Sequence, residues 1–228
     1  MKYTTLEHRK IIIDVSTLGR NTHADYYWAG EESSNNLVVF IGGSINEQEY
    51  AQRMNSSPDK LAEIFKCAIG NANINCDFIA LSSPPSGKHT HDNFLNAFMM
   101  FLLQELLPKT RSPRPRNISI AGNSYGAYVA TFLAMSLAPV KALVTFAGAG
   151  MTEAAIASNR ININSLKIKV FSNIDDGTEE EDRRFSEYLK RNSVNIDVVR
   201  RNGGHSFCDY ISNGSVDDGI NYLLENLR

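Results

Sequence analysis

A serine between two glycines stands at the centre of the most informative segment of the sequence. The pentapeptide GNSYG, residues 122–126, follows a short apolar run at 117–121 and precedes a helical pattern at 125–137. A sharp turn from strand to helix exposes a serine hydroxyl, and its glycines let the two elements approach closely. The amino end of the helix also favours negative charge that develops near the serine. We therefore predict that Ser124 is a nucleophile, the alternative being a turn that only links strand to helix.

A serine hydroxyl is a poor nucleophile until a base takes its proton, and histidine is the usual base. The chain contains five histidines, at positions 8, 23, 89, 91 and 205. Only His205 follows the last predicted strand, and it comes directly after Gly203 and Gly204 in a tight loop. Catalytic groups collect at the carboxyl ends of strands in open α/β sheets. We predict that His205 is the base, the alternative being an ordinary histidine of a surface loop.

A catalytic histidine also needs an acid that fixes its tautomer and stabilises the imidazolium. Asp175 and Asp176 lie between Ser124 and His205, directly after the apolar run at 168–172. We prefer Asp176, because it lies further beyond the end of the strand, and we keep Asp175 as the alternative acid. The other of the two aspartates would serve as a turn residue or as a helix cap.

The tetrahedral intermediate of acyl transfer needs backbone donors for its oxyanion. The residue after the nucleophile, Tyr125, supplies one N–H group. The second is expected from the Gly-Gly-Ser segment at 42–44, which follows the apolar strand at 37–41. We choose Gly43 for this role, with Ser44 as the near alternative. These residues call for no metal ion and no cofactor.

Strand-like and helix-like segments alternate along the chain and position these residues. The predicted strands are 10–15, 23–30, 37–41, 76–81, 117–121, 142–146, 168–172 and 196–200. The predicted helices are 58–68, 92–107, 125–137, one within 151–165, 178–191 and 216–227. This order predicts an α/β fold with a mostly parallel central sheet and helices on both faces, in which the first two strands form an antiparallel edge. One domain over residues 1–228 is expected from the length.

Charge and cysteine content restrict the partners and the compartment. The net charge is −2 and the isoelectric point is near 6.2, which argues against binding to nucleic acid or to a membrane surface. The one basic cluster, at 109–116, is interpreted as a solvated loop, the alternative being a phosphate-binding segment. The three cysteines form no CxxC pair, which favours a reducing compartment. With no apolar leader and no long apolar run, we expect a cytoplasmic protein without membrane insertion.

The strand followed by Gly-Gly at 40–43, the GNSYG turn, the Asp-Asp pair and the NGGH segment at 202–205 resemble the α/β-hydrolase superfamily, in particular its small esterases. The resemblance extends over about residues 37–227. It departs from the family at Ile41, where a histidine is common. Many members carry a large lid after the sixth strand, whereas only 151–167 is available here. The resemblance therefore implies an α/β-hydrolase fold with a minimal lid or none.

These residues predict a serine hydrolase that cleaves a carboxylic ester or thioester of a small molecule through an acyl-enzyme on Ser124. Two alternatives stay open. An acyltransferase or a peptidase would use the same three catalytic residues with a different acceptor or substrate. A non-catalytic binding protein of the same fold would keep the architecture without the chemistry.

Overall fold

A computed structural model describes residues 6–15, 20–29, 33–43, 57–81, 91–158 and 165–228. In these segments the chain forms an eight-stranded sheet in the order β1-β2-β4-β3-β5-β6-β7-β8. The strands are β1 Leu6–Val15, β2 Arg20–Ala29, β3 Asn36–Ile41, β4 Asp77–Leu81, β5 Asn117–Asn123, β6 Val140–Phe146, β7 Lys167–Asn173 and β8 Ile196–Arg201. The pairs β1–β2 and β2–β4 are antiparallel, and all other pairs are parallel. The predicted fold class is thereby confirmed.

Helices cover both faces of the sheet. The α-helices of the described segments are α1 Ser57–Ala72, α2 His91–Met100, α3 Tyr125–Ser136, α4 Met151–Ala157, α5 Glu179–Arg191, α6 Phe207–Ser212 and α7 Ser215–Glu225. One buried apolar cluster joins the sheet to α2, α3, α4 and α5. A second cluster, on the opposite face, joins it to α1, α6 and α7. Strands enclosed in this way are apolar on both sides, which explains the unbroken apolar run 37–41 of β3.

Two helical segments differ from the prediction. The single helix expected at 92–107 is an α-helix only to Met100; it continues as a π-helix, Phe101–Leu106, and ends in a 3₁₀ turn, Leu107–Lys109. The backbone N–H of Leu107 accordingly donates to the carbonyl of Leu102, five residues earlier. Helix α6 was not predicted, because its six residues are too few to show a helical period.

The segment after β6 is short in the structure as well as in the sequence. Helix α4 packs against α3 and α5 on one face of the sheet, and residues 159–164 lie outside the described segments. In the described part of the chain, none of the helices combines the length and the apolar character needed to cross a lipid bilayer.

Candidate active site

Ser124 lies on the tight turn between β5 and α3. Its backbone has φ 53° and ψ −121°, a left-handed conformation that is rare for a residue with a side chain. The strain is held in place by the backbone, because the Ser124 N–H donates to the carbonyl of Phe146 at 2.9 Å. The Ser124 carbonyl in turn accepts a hydrogen bond from Ala127 N–H at 2.9 Å. The turn therefore presents the serine at the carboxyl edge of the sheet.

The glycines on either side of this turn are required by close backbone contacts. A Cβ atom at Gly122 would lie 2.3 Å from the carbonyl oxygen of Gly126, a distance that no real Cβ atom tolerates. Strand β5 and helix α3 therefore meet with no room for a side chain between them. This is the steric reason for the G-x-S-x-G pattern that the sequence shows.

The structure brings Ser124 and His205 together. The Oγ atom of Ser124 and the Nε2 atom of His205 are 3.2 Å apart, within hydrogen-bond distance. His205 comes from the loop after β8 and is exposed, while Ser124 is half-buried. A hydroxyl and an imidazole in this arrangement can exchange a proton.

The loop after β7 is joined to the loop that carries His205. The N–H of Ile174 donates to the carbonyl of Arg201 at 2.9 Å, and that of Asp175 donates to Gly203 at 3.1 Å. The side-chain amide of Asn173 adds a third bond, to the Gly204 carbonyl at 2.9 Å. Both loops therefore have fixed positions relative to each other.

Asp176 lies in this joined pair of loops and accepts four hydrogen bonds. Its Oδ1 accepts from the N–H of Thr178 at 2.9 Å and from the Thr178 hydroxyl at 2.7 Å. Its Oδ2 accepts from the N–H of Asn173 at 3.1 Å and from the hydroxyl of Tyr210. Partial burial acts to raise the pKa of Asp176, but these hydrogen bonds outweigh it and hold that pKa below its usual value. Asp176 is therefore an ionised, fixed carboxylate.

The predicted acid and the predicted base are not hydrogen-bonded to each other within the described segments. Within the described segments, no hydrogen bond joins Asp175 or Asp176 to the imidazole of His205, whose bond is to Ser124. Asp175 is exposed and contributes its backbone N–H rather than its carboxylate to the loop. The two aspartates thus differ: Asp176 is held by its neighbours, whereas Asp175 faces solvent.

The two predicted oxyanion donors lie beside the nucleophile. Tyr125 is the first residue of α3, and the first N–H groups of a helix have no acceptor within the helix. Gly43 follows β3, and a Cβ atom built on it would lie 3.1 Å from the Cβ of Ser124. Both backbones are therefore close enough to face an atom bonded to the serine. The alternative donor, Ser44, lies outside the described residues.

The remaining histidines come from other elements of the chain or lie outside the described residues. His8 pairs with Asp25 at 2.9 Å on the β1–β2 hairpin, and His23 lies on β2. His91 begins α2, and position 89 falls outside the described segments. The described residues contain no group of three or more His, Cys, Asp or Glu side chains that could hold a metal ion.

Sequence reasoning missed the residues that hold Asp176, namely Asn173, Thr178 and Tyr210. Tyr210 lies on the unpredicted helix α6, five residues after His205. One signal was present in the sequence: Ser206 is a typical N-cap residue, and in the structure its Oγ accepts the N–H of Cys208 at 3.3 Å.

Comparisons with known proteins give the fold. No protein-family model matches the chain, and no curated protein matches its sequence. Solved structures do match: a ferulic acid esterase has a TM-score of 0.75 at 12% identity, covering 97% of this chain and 99% of its own. S-formylglutathione hydrolase FrmB from Staphylococcus aureus has a TM-score of 0.67 at 12% identity, covering 98% of each chain.

FphF, a fluorophosphonate-binding serine hydrolase of Staphylococcus aureus, is also similar. Its TM-score is 0.64 at 14% identity, with 96% of this chain and 98% of its own covered. The alignments extend over almost the whole of each chain, so the likeness is one of the whole fold and not of a single segment. The chain therefore has the α/β-hydrolase fold, with Ser124 on the turn between the fifth strand and the following helix.

Proposed function

We propose that the protein is a serine hydrolase that cleaves carboxylic esters or thioesters of small molecules through an acyl-enzyme on Ser124. The observation that carries this proposal is the 3.2 Å separation of Ser124 Oγ and His205 Nε2, with the serine on a strained turn. A hydroxyl without a base is inert towards esters, and the imidazole at this distance is a suitable base.

The reaction follows from these positions. His205 takes the proton of Ser124 as its Oγ attacks the acyl carbon, and the carbonyl oxygen becomes an oxyanion. The N–H groups of Tyr125 and Gly43 donate to that oxyanion. The intermediate collapses as His205 gives its proton to the leaving alcohol or thiol, and an acyl ester on Ser124 remains. Water, deprotonated by His205, then attacks the acyl-enzyme and releases the carboxylic acid and the free serine.

Asp176 is proposed as the acid. Its ionised carboxylate lies in the loop joined to the His205 loop, and a fixed negative charge there stabilises the imidazolium that forms during attack. Asp175, which is exposed, is the weaker candidate. Because four donors already occupy the Asp176 oxygens and the described bond of the imidazole is to Ser124, Asp176 is proposed to act through its fixed charge rather than through a bond to the ring.

The similar structures support this chemistry. Those named above are, by their own descriptions, a ferulic acid esterase, an S-formylglutathione hydrolase and a fluorophosphonate-binding serine hydrolase.

The three cysteines of the chain, Cys67, Cys76 and Cys208, are all unpaired, which supports a place in the reducing cytoplasm.

The test compares Ser124→Ala with the wild type on p-nitrophenyl acetate and on an acyl thioester. We expect the variant to lose at least about a thousandfold in kcat while its circular dichroism is unchanged. Ser136→Ala is the matched control, because Ser136 ends the same helix and bonds the Ser158 carbonyl. A fluorophosphonate probe should label the wild type and Ser136→Ala but not Ser124→Ala.

A wild type that neither turns over these substrates nor reacts with the probe would contradict the proposal and favour a binding protein. Products analysed with water, an amine or an alcohol as acceptor separate hydrolysis from acyl transfer. We expect the free carboxylic acid as the main product. Predominant amide or new ester would assign acyl transfer instead.

A further inference from the structure

We propose that Tyr210 is a positioning residue that acts on the reaction through Asp176. The inference rests on the proposed function, in which Asp176 is the acid. It concerns a residue whose described hydrogen bonds go to Asp176 and Asn173 and not to the serine or the histidine.

The Tyr210 hydroxyl is held in one place by the core and by two hydrogen bonds. The side chain is fully buried, with 0% of its surface exposed, and its ring packs edge-on against Phe146 with centroids 5.8 Å apart. The hydroxyl donates to Asp176 Oδ2 and accepts the N–H of Asn173 at 3.0 Å. Phe146 also accepts the N–H of Ser124, so the ring of Tyr210 lies against the strand that supports the nucleophile.

Tyr210 is the only one of the described donors to Asp176 that comes from outside the acid's own loop. The other three are Asn173 N–H, Thr178 N–H and the Thr178 hydroxyl, all within three residues of the carboxylate. Tyr210 comes instead from α6, which begins two residues after His205. Its hydroxyl therefore connects the acid to the segment that carries the base.

The Tyr210 hydroxyl stays protonated, and therefore a donor, at neutral pH. Burial and the adjacent Asp176 carboxylate raise the pKa of Tyr210 far above its usual value. With two donors on each oxygen, Asp176 has filled about the four sites that a carboxylate offers. These bonds fix its orientation, and removal of the Tyr210 donor leaves Oδ2 with the Asn173 N–H alone.

The test uses Tyr210→Phe, which keeps the buried ring and removes only the hydroxyl. We expect kcat to fall roughly tenfold with KM within about twofold of wild type, the low end for loss of a hydrogen bond to a charged group. In an Asp176→Asn background the same substitution should have no further effect on kcat, because Tyr210 acts only through Asp176.

Tyr26→Phe is the matched control. The Tyr26 hydroxyl donates to the buried carboxylate of Asp77 at 2.6 Å, the same kind of bond at the amino end of β4, away from the site. This control should lower thermal stability while kcat stays unchanged. A full kcat in Tyr210→Phe, a faster reaction, or an equal loss in the Asp176→Asn background would overturn the inference.

A measurement that does not depend on catalytic turnover tests this inference separately from the proposed function. Carbon-13 NMR of the Asp176 carboxyl group reports its pKa directly, and Tyr210→Phe should raise that pKa while Tyr26→Phe leaves it unchanged. An inactive wild type would reject the function, yet the titration would still measure the Tyr210–Asp176 bond. An unshifted Asp176 pKa in Tyr210→Phe would reject the inference even in an active enzyme.

Discussion

Gly126, the second residue of helix α3, lies in direct contact with the backbone of Ile41 at the end of strand β3. A Cβ atom at Gly126 would lie 2.2 Å from the carbonyl oxygen of Ile41. Because the obstacle is backbone, it cannot rotate away as a side chain would. We expect Gly126→Ala to lower the free energy of unfolding by about 3 kcal/mol or more, measured by urea denaturation.

Gly177→Ala provides the comparison for this prediction. Gly177 has φ +75°, but nothing lies within 4 Å of a Cβ built on it. Alanine there would have a strained backbone conformation but no steric clash. It should cost about 1 kcal/mol. Equal losses for the two variants would show that the contact with Ile41 is not the cause.

Asparagine substitutions distinguish the two candidate acids. Asp176→Asn keeps the size of the side chain but removes the charge proposed to stabilise the imidazolium. We expect it to lower kcat by about 10²- to 10⁴-fold, and Asp175→Asn to change kcat by less than about threefold. Steady-state kinetics on the same ester decide the matter, and the reverse order would assign the acid to Asp175.

Gly43 should be sensitive to a single added methyl group. A Cβ there would lie 3.1 Å from Ser124 Cβ and 3.2 Å from the carbonyl oxygen of Asn123, tighter than ordinary contact. Alanine therefore displaces the Gly43 N–H from the serine, and kcat should fall about 10²-fold, as for loss of one oxyanion donor. A kcat close to that of the wild type, in a variant of unchanged stability, would remove Gly43 from the oxyanion site.

Asp182 on α5 should make the protein less stable above about pH 6. It is 2% exposed, and neither of its carboxylate oxygens forms a well-oriented hydrogen bond among the described residues; the neighbouring Ser172 hydroxyl only partly offsets the effect of burial. Burial raises the pKa of Asp182 from 3.8 to about 6. The folded state therefore holds this proton more tightly than the unfolded state, so stability falls as pH rises from about 4 to about 6 and stays reduced above.

The Asp182→Asn substitution removes this loss of stability, because asparagine carries no charge. We expect the free energy of unfolding to increase by up to about 3 kcal/mol at pH 8 and to change little at pH 3.5. Asp197→Asn is a suitable control, because Asp197 forms a surface pair with Lys169 at 3.0 Å and should matter by less than about 1 kcal/mol. A pH-independent effect of Asp182→Asn would contradict the explanation.

Much of the architecture could be predicted because burial on two faces leaves a simple pattern. The run 37–41 is apolar throughout, and the structure buries all five residues in a central parallel strand. The turn around Ser124 could also be predicted, because the close backbone contacts at Gly122 and Gly126 exclude any residue with a side chain. The π-helix at Phe101–Leu106 could not be predicted. An apolar run has the same sequence pattern whether its backbone N–H groups donate to carbonyls four or five residues earlier.

The acid was the hardest part of the site to predict. Asp175 and Asp176 are adjacent, and the turn after β7 sends one outward and the other towards Tyr210. The sequence places both aspartates after the strand, but their environment depends on donors from α6 and from Thr178. Tertiary contacts of this kind produce no periodic pattern in the sequence.

The bonds between the loops after β7 and β8 also affect how the chain tolerates change in length. Surface loops usually accept extra residues at little cost. Here the N–H groups of Ile174 and Asp175 are matched to the carbonyls of Arg201 and Gly203, so an insertion in one loop shifts its register against the other. The two segments can therefore lengthen only together, and a library that varies either loop alone should yield few folded, active members.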